Sequence, residues 1–358
     1  MNGMKRFLAA ALLAVMAVTM VAHSADGKSG DKFVASLAGK ADGLVVGITV
    51  NDLLSTYIAS AAEYNKKLME MMGATVYLVN CESNANVQSS QVEDFISMGC
   101  NVIAIHAADS EALAPAVKKA RDAGIIVVGF NKEIAGKNLH FTVTSSDNVA
   151  TGEKATQWLA DRAKQLGVKS PKIAVMQGTM SQSDAYLRQE GIEKIAGKEG
   201  LVLFNNPCDW ASDKAEKMMS DTLTANPDLF GIVTHCDSMD LGVLSALRQA
   251  RKNGKAGESN HIYWAGIDCD PVGVSSLETG LMDIAIEQSP LSLATVIAKG
   301  MVQVGKEGKD LKGVLIPMET RMVTEKEVDD PTLWAKYDLD SKELWSRTEE
   351  IWNSYLND

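Results

Sequence analysis

Cysteine is sparse in this 358-residue chain, with 5 residues whose spacings match no zinc motif. A disulfide-stapled scaffold and a structural zinc site are both excluded on that count. Proline is limited to 8 residues and glycine to 28, which rules out collagen-like and Pro-rich disordered chains. Positive charge is also in deficit. Basic residues number 35 against 46 acidic ones, a net charge of −11, so the chain lacks the dominant basic face that phosphate backbones require. No nucleic acid is expected as a partner, and anionic membranes are disfavoured likewise. The G-x-G-x-x-G, P-loop, H-E-x-x-H and G-x-S-x-G patterns are all absent. This removes the common phosphate, zinc and serine mechanisms and leaves only an enzyme of unrecognised mechanism as an alternative. His106 and His235 each end a predicted strand, but without spaced partners for a metal. No cofactor or metal is expected.

One long apolar run is present, and it lies at the extreme N-terminus. Lys5 and Arg6 precede a continuous apolar stretch over 7–21, and Ala22 and Ser24 place small residues before a cleavage point at Ser24/Ala25. Residues 1–24 therefore read as a removable export signal, too short in its apolar run to be a membrane span. Its loss removes two basic residues and no acidic one, so the exported chain is more acidic still. In an oxidising compartment the odd number of cysteines leaves at least one thiol free. Mostly reduced, packed thiols are the favoured reading, with Cys236 and Cys269, which follow neighbouring strands, as the pair most suited to a bridge.

From Gly43 onward, short β-branched runs alternate with segments of helical period, the pattern of a parallel sheet flanked by helices. Strands are predicted over 44–50, 75–79, 102–106, 125–130 and 141–143, and again over 172–176, 201–204, 230–234, 262–267 and 282–286. The fold class is α/β, with two doubly wound, Rossmann-like lobes of five strands each. Loops at the carboxyl ends of the strands should face each other across a cleft. The last segment differs: Trp334, Trp345 and Trp352 stand in a charged stretch. Indoles are costly to leave in water, so an ordered extension over 331–358 is expected, with a helix over about 341–356 docked on one lobe.

Polar residues gather at the predicted strand ends: Asn51-Asp52, Asn131-Lys132-Glu133, Asp184 with Arg188, Asp209-Trp210, Cys236-Asp237, Asp268-Cys269-Asp270 and Glu287-Gln288. Planar carboxylates, carboxamides and guanidinium each engage paired hydroxyls, and an aromatic face covers the C–H face of a sugar ring. The mixture fits a neutral polyhydroxylated ligand. Each residue also has a plainer reading. Asp184 and Arg188, four apart, fit an intrahelical ion pair; Trp210 fits interdomain packing; Asp268 fits a helix cap; Asn131 fits a turn; and Lys132 fits a solvent-facing side chain.

The segments 45–57, VVGFNKE at 127–133, SSDN at 145–148, 184–188, DSMDLG at 237–242 and GID at 266–268 resemble the periplasmic sugar-binding proteins of the ribose and galactose/glucose type. That fold is shared with LacI-type repressors. The resemblance covers roughly 44–317. It implies a ligand set of Asn51, Ser55, Tyr57, Asn131, Lys132, Asp184, Arg188, Trp210, Cys236, Asp268 and Gln288, with Tyr57 and Trp210 packing on the sugar and Gln288 at a domain crossover. Cys236 stands where these proteins usually have Asn, Ser55 where they have Asn or Asp, and Ile58 where the ribose type has a second Phe. Ribose or glucose is therefore not carried over as the ligand. The stretch 166–171 lacks the alternating carboxylates of the galactose/glucose-type calcium loop.

The resemblance implies a monomeric periplasmic receptor that closes on a monosaccharide or related small polyol and delivers it to an inner-membrane ABC permease. A receptor for a furanosyl signal that docks on a chemoreceptor is the alternative. The expected lobes are 43–145 with 289–316, and 146–288 with 317–330, joined by crossings near Ser145, Gln288 and Pro317.

Overall fold

The β-branched runs of the central strands are buried on both faces, which is why they read as continuous apolar segments instead of alternating ones, whereas the edge strands over 75–80 and 202–207 are partly exposed. A computed structural model describes residues 29–135, 139–337 and 342–357; the expected export signal lies outside them. The first lobe begins with α1 (Ser29–Leu37), β1 (Val45–Val50), α2 (Thr56–Met71), β2 (Thr75–Asn80), α3 (Ala85–Ser97), β3 (Val102–Ile105), α4 (Ala114–Asp122), β4 (Ile126–Asn131) and β5 (Phe141–Thr144). The second follows with α5 (Asn148–Gln165), β6 (Lys172–Gln177), α6 (Ser183–Glu199), β7 (Val202–Pro207), α7 (Ser212–Ala225), β8 (Gly231–Thr234), α8 (Asp240–Gln249), β9 (Tyr263–Asp268), α9 (Pro271–Glu278) and β10 (Ile284–Glu287). The chain then returns through α10 (Pro290–Gly305) and β11 (Val314–Pro317) to the first lobe, through β12 (Arg321–Val323) to the second, and ends in α11 (Lys342–Ser354).

Two 6-stranded sheets result, in the orders β11-β5-β4-β3-β1-β2 and β12-β10-β9-β8-β6-β7. Their pairings are parallel except for β10 with β12. Strand order reverses beside β1 in one sheet and beside β6 in the other, and a doubly wound sheet opens a crevice at the carboxyl ends of its strands at such a switch point. Five strands per lobe were expected; the sixth of each comes from the hinge-crossing segment 314–323. β11 and β12 are too short and too exposed to show a burial period in sequence.

Helix α1 is a further addition to the expected elements, and its buried Phe33 meets Trp352 of α11 edge-on at 6.0 Å. α11 lies against α1 and α10, so the extension's helix docks on the first lobe. Lys299 on α10 donates to the carbonyls of Trp352 and Tyr355, both at 2.6 Å, and so satisfies oxygens that the end of α11 leaves without helical partners. All five cysteines are free, buried thiols. The bridge weighed for Cys236 and Cys269 is not formed: Cys236 lies on the cleft wall with its Sγ 2.8 Å from Ser238 Oγ, and Cys269 packs into the second lobe's core.

Helices α5 and α6 approach backbone to backbone at Gly152 and Gly191. A Cβ on Gly152 would collide with the carbonyl of Arg188, and one on Gly191 with that of Val149. This close approach brings Arg188 beside Asn148 at the start of α5. Gly152→Val should therefore force the helices apart and lower stability by about 2 kcal/mol, read from the urea midpoint; an unchanged midpoint would mean the helices tolerate separation.

Candidate functional site

The cleft between the lobes encloses a cavity of about 600 Å³, within the size range of small-molecule sites. In the first lobe, Asn51 follows β1 directly and leads into a tight turn. Asp52 Oδ1 accepts from the amides of Leu54 (3.0 Å) and Ser55 (3.3 Å), and Ser55 Oγ accepts from the amide of Ile58 at 3.4 Å, capping α2. The capped turn presents Tyr57 and Ile58 to the cavity. β3 delivers His106, and β4 delivers Asn131 and Lys132. Asn131 has φ +65°, a left-handed conformation that Asn tolerates, and its Oδ1 accepts from the amide of Ser145 at 2.9 Å. That bond ties the strand end to the first hinge crossing.

The second lobe contributes Asp184 and Arg188 from α6, Asp209 and Trp210 from the loop after β7, Cys236 after β8 and Asp268 at the end of β9. Arg188 donates from Nε to Asn148 Oδ1 (3.0 Å), from Nη2 to Gln288 Oε1 (3.2 Å) and from Nη1 to the carbonyl of His235. Gln288 Nε2 in turn donates to Asp268 Oδ1 at 3.0 Å. Trp210 Nε1 donates to Gln182 Oε1 at 2.6 Å, and its ring lies on the bare backbone of Gly178, where a Cβ would collide. The cationic groups of Lys132 and Arg188 sit 6.0 and 5.9 Å from the indole centroid.

The lobes are closed on each other. Lys132 Nζ donates across the cleft to Gln182 Oε1 and lies 3.7 Å from Asp184 Oδ1. Gln182 Nε2 donates to the carbonyl of Ala108 (3.0 Å), the amide of Glu133 to Ser183 Oγ (3.0 Å), and Thr56 Oγ1 to Asp270 Oδ2 (3.0 Å).

Every residue of the expected ligand set lines the cavity except Gln288, which lies behind it and fixes Arg188 and Asp268; of the other strand-end residues, Glu133, Asp237, Cys269, Asp270 and Glu287 do not line it. Several plainer readings give way. Among the described residues Asp184 and Arg188 do not pair; Asp184 faces Lys132 while Arg188 bonds Asn148, His235 and Gln288. Lys132 is 1% exposed and not in solvent. The cap of α9 is Asp270, whose Oδ1 accepts from the amides of Val272 and Gly273, leaving the Asp268 side chain to the cavity and to Gln288. Ser55 serves as a cap as well as a wall residue. Asp52 and Asp209, gathered at the strand ends but left out of the ligand set, also line the cavity, and sequence reasoning passed over Ser83, His106, Asp213 and Ser238 as lining residues. His106 carried a signal, a polar residue closing an apolar strand at the functional edge.

Three side chains in this lining keep buried polar atoms without a protein partner among the described residues: Asn51 Oδ1, the Tyr57 hydroxyl and both ring nitrogens of His106. Burial, with Lys132 beside it, pushes His106 well below the usual imidazole range, so the ring is neutral and offers one donor and one acceptor. Burial raises Asp268 to about 7 against the opposing pull of Arg188. Behind it, Asp237 and Asp240 are both held well above the carboxylate range, first by burial and then by neighbouring carboxylates.

A sequence profile of the periplasmic binding protein domain matches residues 46–310. The ribose import binding protein of Bacillus subtilis is 27% identical over 289 residues, covering 80% of this chain and 90% of that protein. The xylitol-binding protein of Mycolicibacterium smegmatis is 27% identical over 273 residues, 74% of each chain. In fold, the chain is similar to an ABC transporter solute binding protein from Bacillus halodurans C-125 with bound myo-inositol, with a TM-score of 0.72, 22% identity and coverage of 84% of this chain and 100% of that one.

A carboxyl whose folded pKa is raised keeps a proton that the unfolded chain has released, so its cost to stability grows as pH rises from about 4 toward the folded value. Asp240→Asn removes that cost. The melting temperature of the variant minus that of the parent should increase between pH 5 and pH 8; a difference independent of pH would show that Asp240 is not held protonated.

Proposed function

The chain belongs to the periplasmic binding protein domain family, and from that membership we propose that it captures a neutral monosaccharide or small polyol in the closed cleft. The observation that carries this reading is the set of buried, unpartnered polar atoms on Asn51, Tyr57 and His106 facing planar hydrogen-bonding groups of the second lobe. Buried polar atoms without partners are costly, and a ligand rich in hydroxyls, each both donor and acceptor, satisfies them from within the cavity. The Trp210 and Tyr57 rings supply the faces on which the C–H side of a sugar ring packs.

Both cations of the lining already have acceptors within the protein, Lys132 on Gln182 and Asp184, and Arg188 on Asn148, His235 and Gln288. No uncompensated positive charge awaits a phosphate, which favours a neutral ligand over a sugar phosphate. Cys236 offers a weak donor where a carboxamide would offer strong ones, and this narrows the choice among hydroxyl patterns. Asn51, Ser55, Tyr57, Asn131, Lys132, Asp184, Arg188, Trp210, Cys236 and Asp268 touch the ligand in this reading, with His106 added and Gln288 acting through its neighbours.

Ligand contacts from both lobes stabilise the closed form, so binding becomes a population shift that a partner can read. The partner is an inner-membrane ABC permease, consistent with the roles of the relatives as an import binding protein and an ABC transporter solute binding protein. The receptor acts as a monomer in the periplasm, exported by residues 1–24. A chemoreceptor would read the same closed surface, as the second use of this reading.

Thermal shift of the mature protein with D-ribose, D-allose, D-xylose, xylitol, myo-inositol and a sugar phosphate tests the proposal. A shift of several degrees with one neutral compound is expected; none with any neutral polyol, or a larger one with the phosphate, overturns it. Asp268→Ala and Trp210→Ala should each weaken that ligand by roughly 100-fold in calorimetry while leaving the fold intact, and parent affinity in either would remove that residue from the site.

A further inference from the structure

We infer that Trp334, in the C-terminal extension, is a positioning residue of the cleft and that the extension braces the two lobes in their closed arrangement. The extension lies beyond residue 310, where the family match ends. Trp334 is 7% exposed, and its indole joins the two halves of the site. Nε1 donates to the main-chain carbonyl of Asp268 at 2.7 Å, and the ring stands edge-on to Tyr57 at 6.0 Å and 90°. Asp268 belongs to β9 of the second lobe and Tyr57 to α2 of the first. The Trp334 amide donates as well, to Glu287 Oε1 at 3.1 Å beside the second hinge crossing.

Asp268 needs such support. Its φ of +103° is a conformation that residues with a side chain rarely adopt, and it persists only where surrounding contacts fix it. Gln288 holds its carboxylate through Nε2 and reaches its carbonyl with a long amide bond of 3.4 Å, and the Trp334 N–H holds that carbonyl from another side at 2.7 Å. The placement of this carboxylate in the cavity thus depends on a residue that does not line the cavity.

The segment carrying Trp334 is fastened to both lobes. Val328 and Leu333 are buried in the second lobe's core, and Arg321 bonds Glu287 and Asp330 across its start. Beyond it, α11 is held on the first lobe by Lys299 and by the Tyr64 hydroxyl paired with Thr348. Opening the hinge separates Tyr57 from Asp268, and one indole cannot follow both. Its contacts therefore favour the closed state over the open one, which is the condition for shifting that equilibrium.

Two variants and two measurements test this. Trp334→Phe keeps a ring against Tyr57 and loses the N–H; Trp334→Ala loses both. Small-angle scattering of the ligand-free proteins should give a larger radius of gyration for Trp334→Ala than for the parent, and equal radii overturn the brace. Calorimetry with the neutral compound that most stabilises the parent should show Trp334→Phe binding roughly tenfold more weakly while the melting temperature falls by only a few degrees. Parent affinity in that variant overturns the positioning role. The affinity arm rests on the proposed function; a parent that binds no polyol refutes that function, while the scattering result still decides the brace.

Discussion

A buried guanidinium organises this molecule. Arg188 is removed from water, and a buried charge without partners costs several kcal/mol, so the fold must supply acceptors around it. It draws them from three places distant in sequence: Asn148 after the first hinge crossing, the His235 carbonyl at the end of β8, and Gln288 at the second crossing. Gln288 passes the constraint on to the carboxylate of Asp268. The network therefore fixes the hinge and the cleft together, and it exists because Gly152 and Gly191 let α5 and α6 pack closely enough to bring Asn148 within reach.

Around that network the two lobes divide the work unevenly. The second lobe presents side chains whose hydrogen bonds are largely satisfied within it, while left-handed backbone occurs on both walls, at Ser83 and Asn131 of the first lobe and at Asp209, Trp210 and Asp268 of the second. The first lobe presents Asn51, Tyr57 and His106 with polar atoms still unpartnered. A preorganised wall opposite an unsatisfied one suits capture by closure, since the ligand supplies the bonds that the first lobe lacks and loses little to reorganisation of the second. Gln182 is the latch between them, accepting from both Lys132 and Trp210 through one oxygen and donating to Ala108 through its nitrogen.

The family match covers the two lobes up to residue 310, while the segment behind the hinge belongs to the extension. Its apolar residues are shared between two cores, Leu333 with the second lobe and Trp334 with the first. A tail packed on a single lobe would have no influence on closure. One divided between them bears on the hinge because the same few residues must satisfy both sides.

All strand positions but those of β11 and β12, the doubly wound class and most of the cleft wall were legible in the sequence. Buried parallel strands require unbroken β-branched runs, and side chains that leave a sheet at its carboxyl edge must be polar, so local pattern carries both. Roles within the wall were not legible. The cap of α9 by Asp270 is local, two and three residues ahead, but that Asp184 turns to Lys132 instead of Arg188 and that Gln288 works from behind the cavity depend on contacts 20 to 100 residues apart. Spacing along one helix cannot anticipate such partners. Which residues reach the functional edge follows from periodicity and chain polarity, which are local properties of the sequence. The tertiary structure alone decided which of them are already satisfied and which still need a partner, and it set Trp334 between Tyr57 and Asp268, because hydrogen-bond satisfaction and burial belong to the assembled lobes.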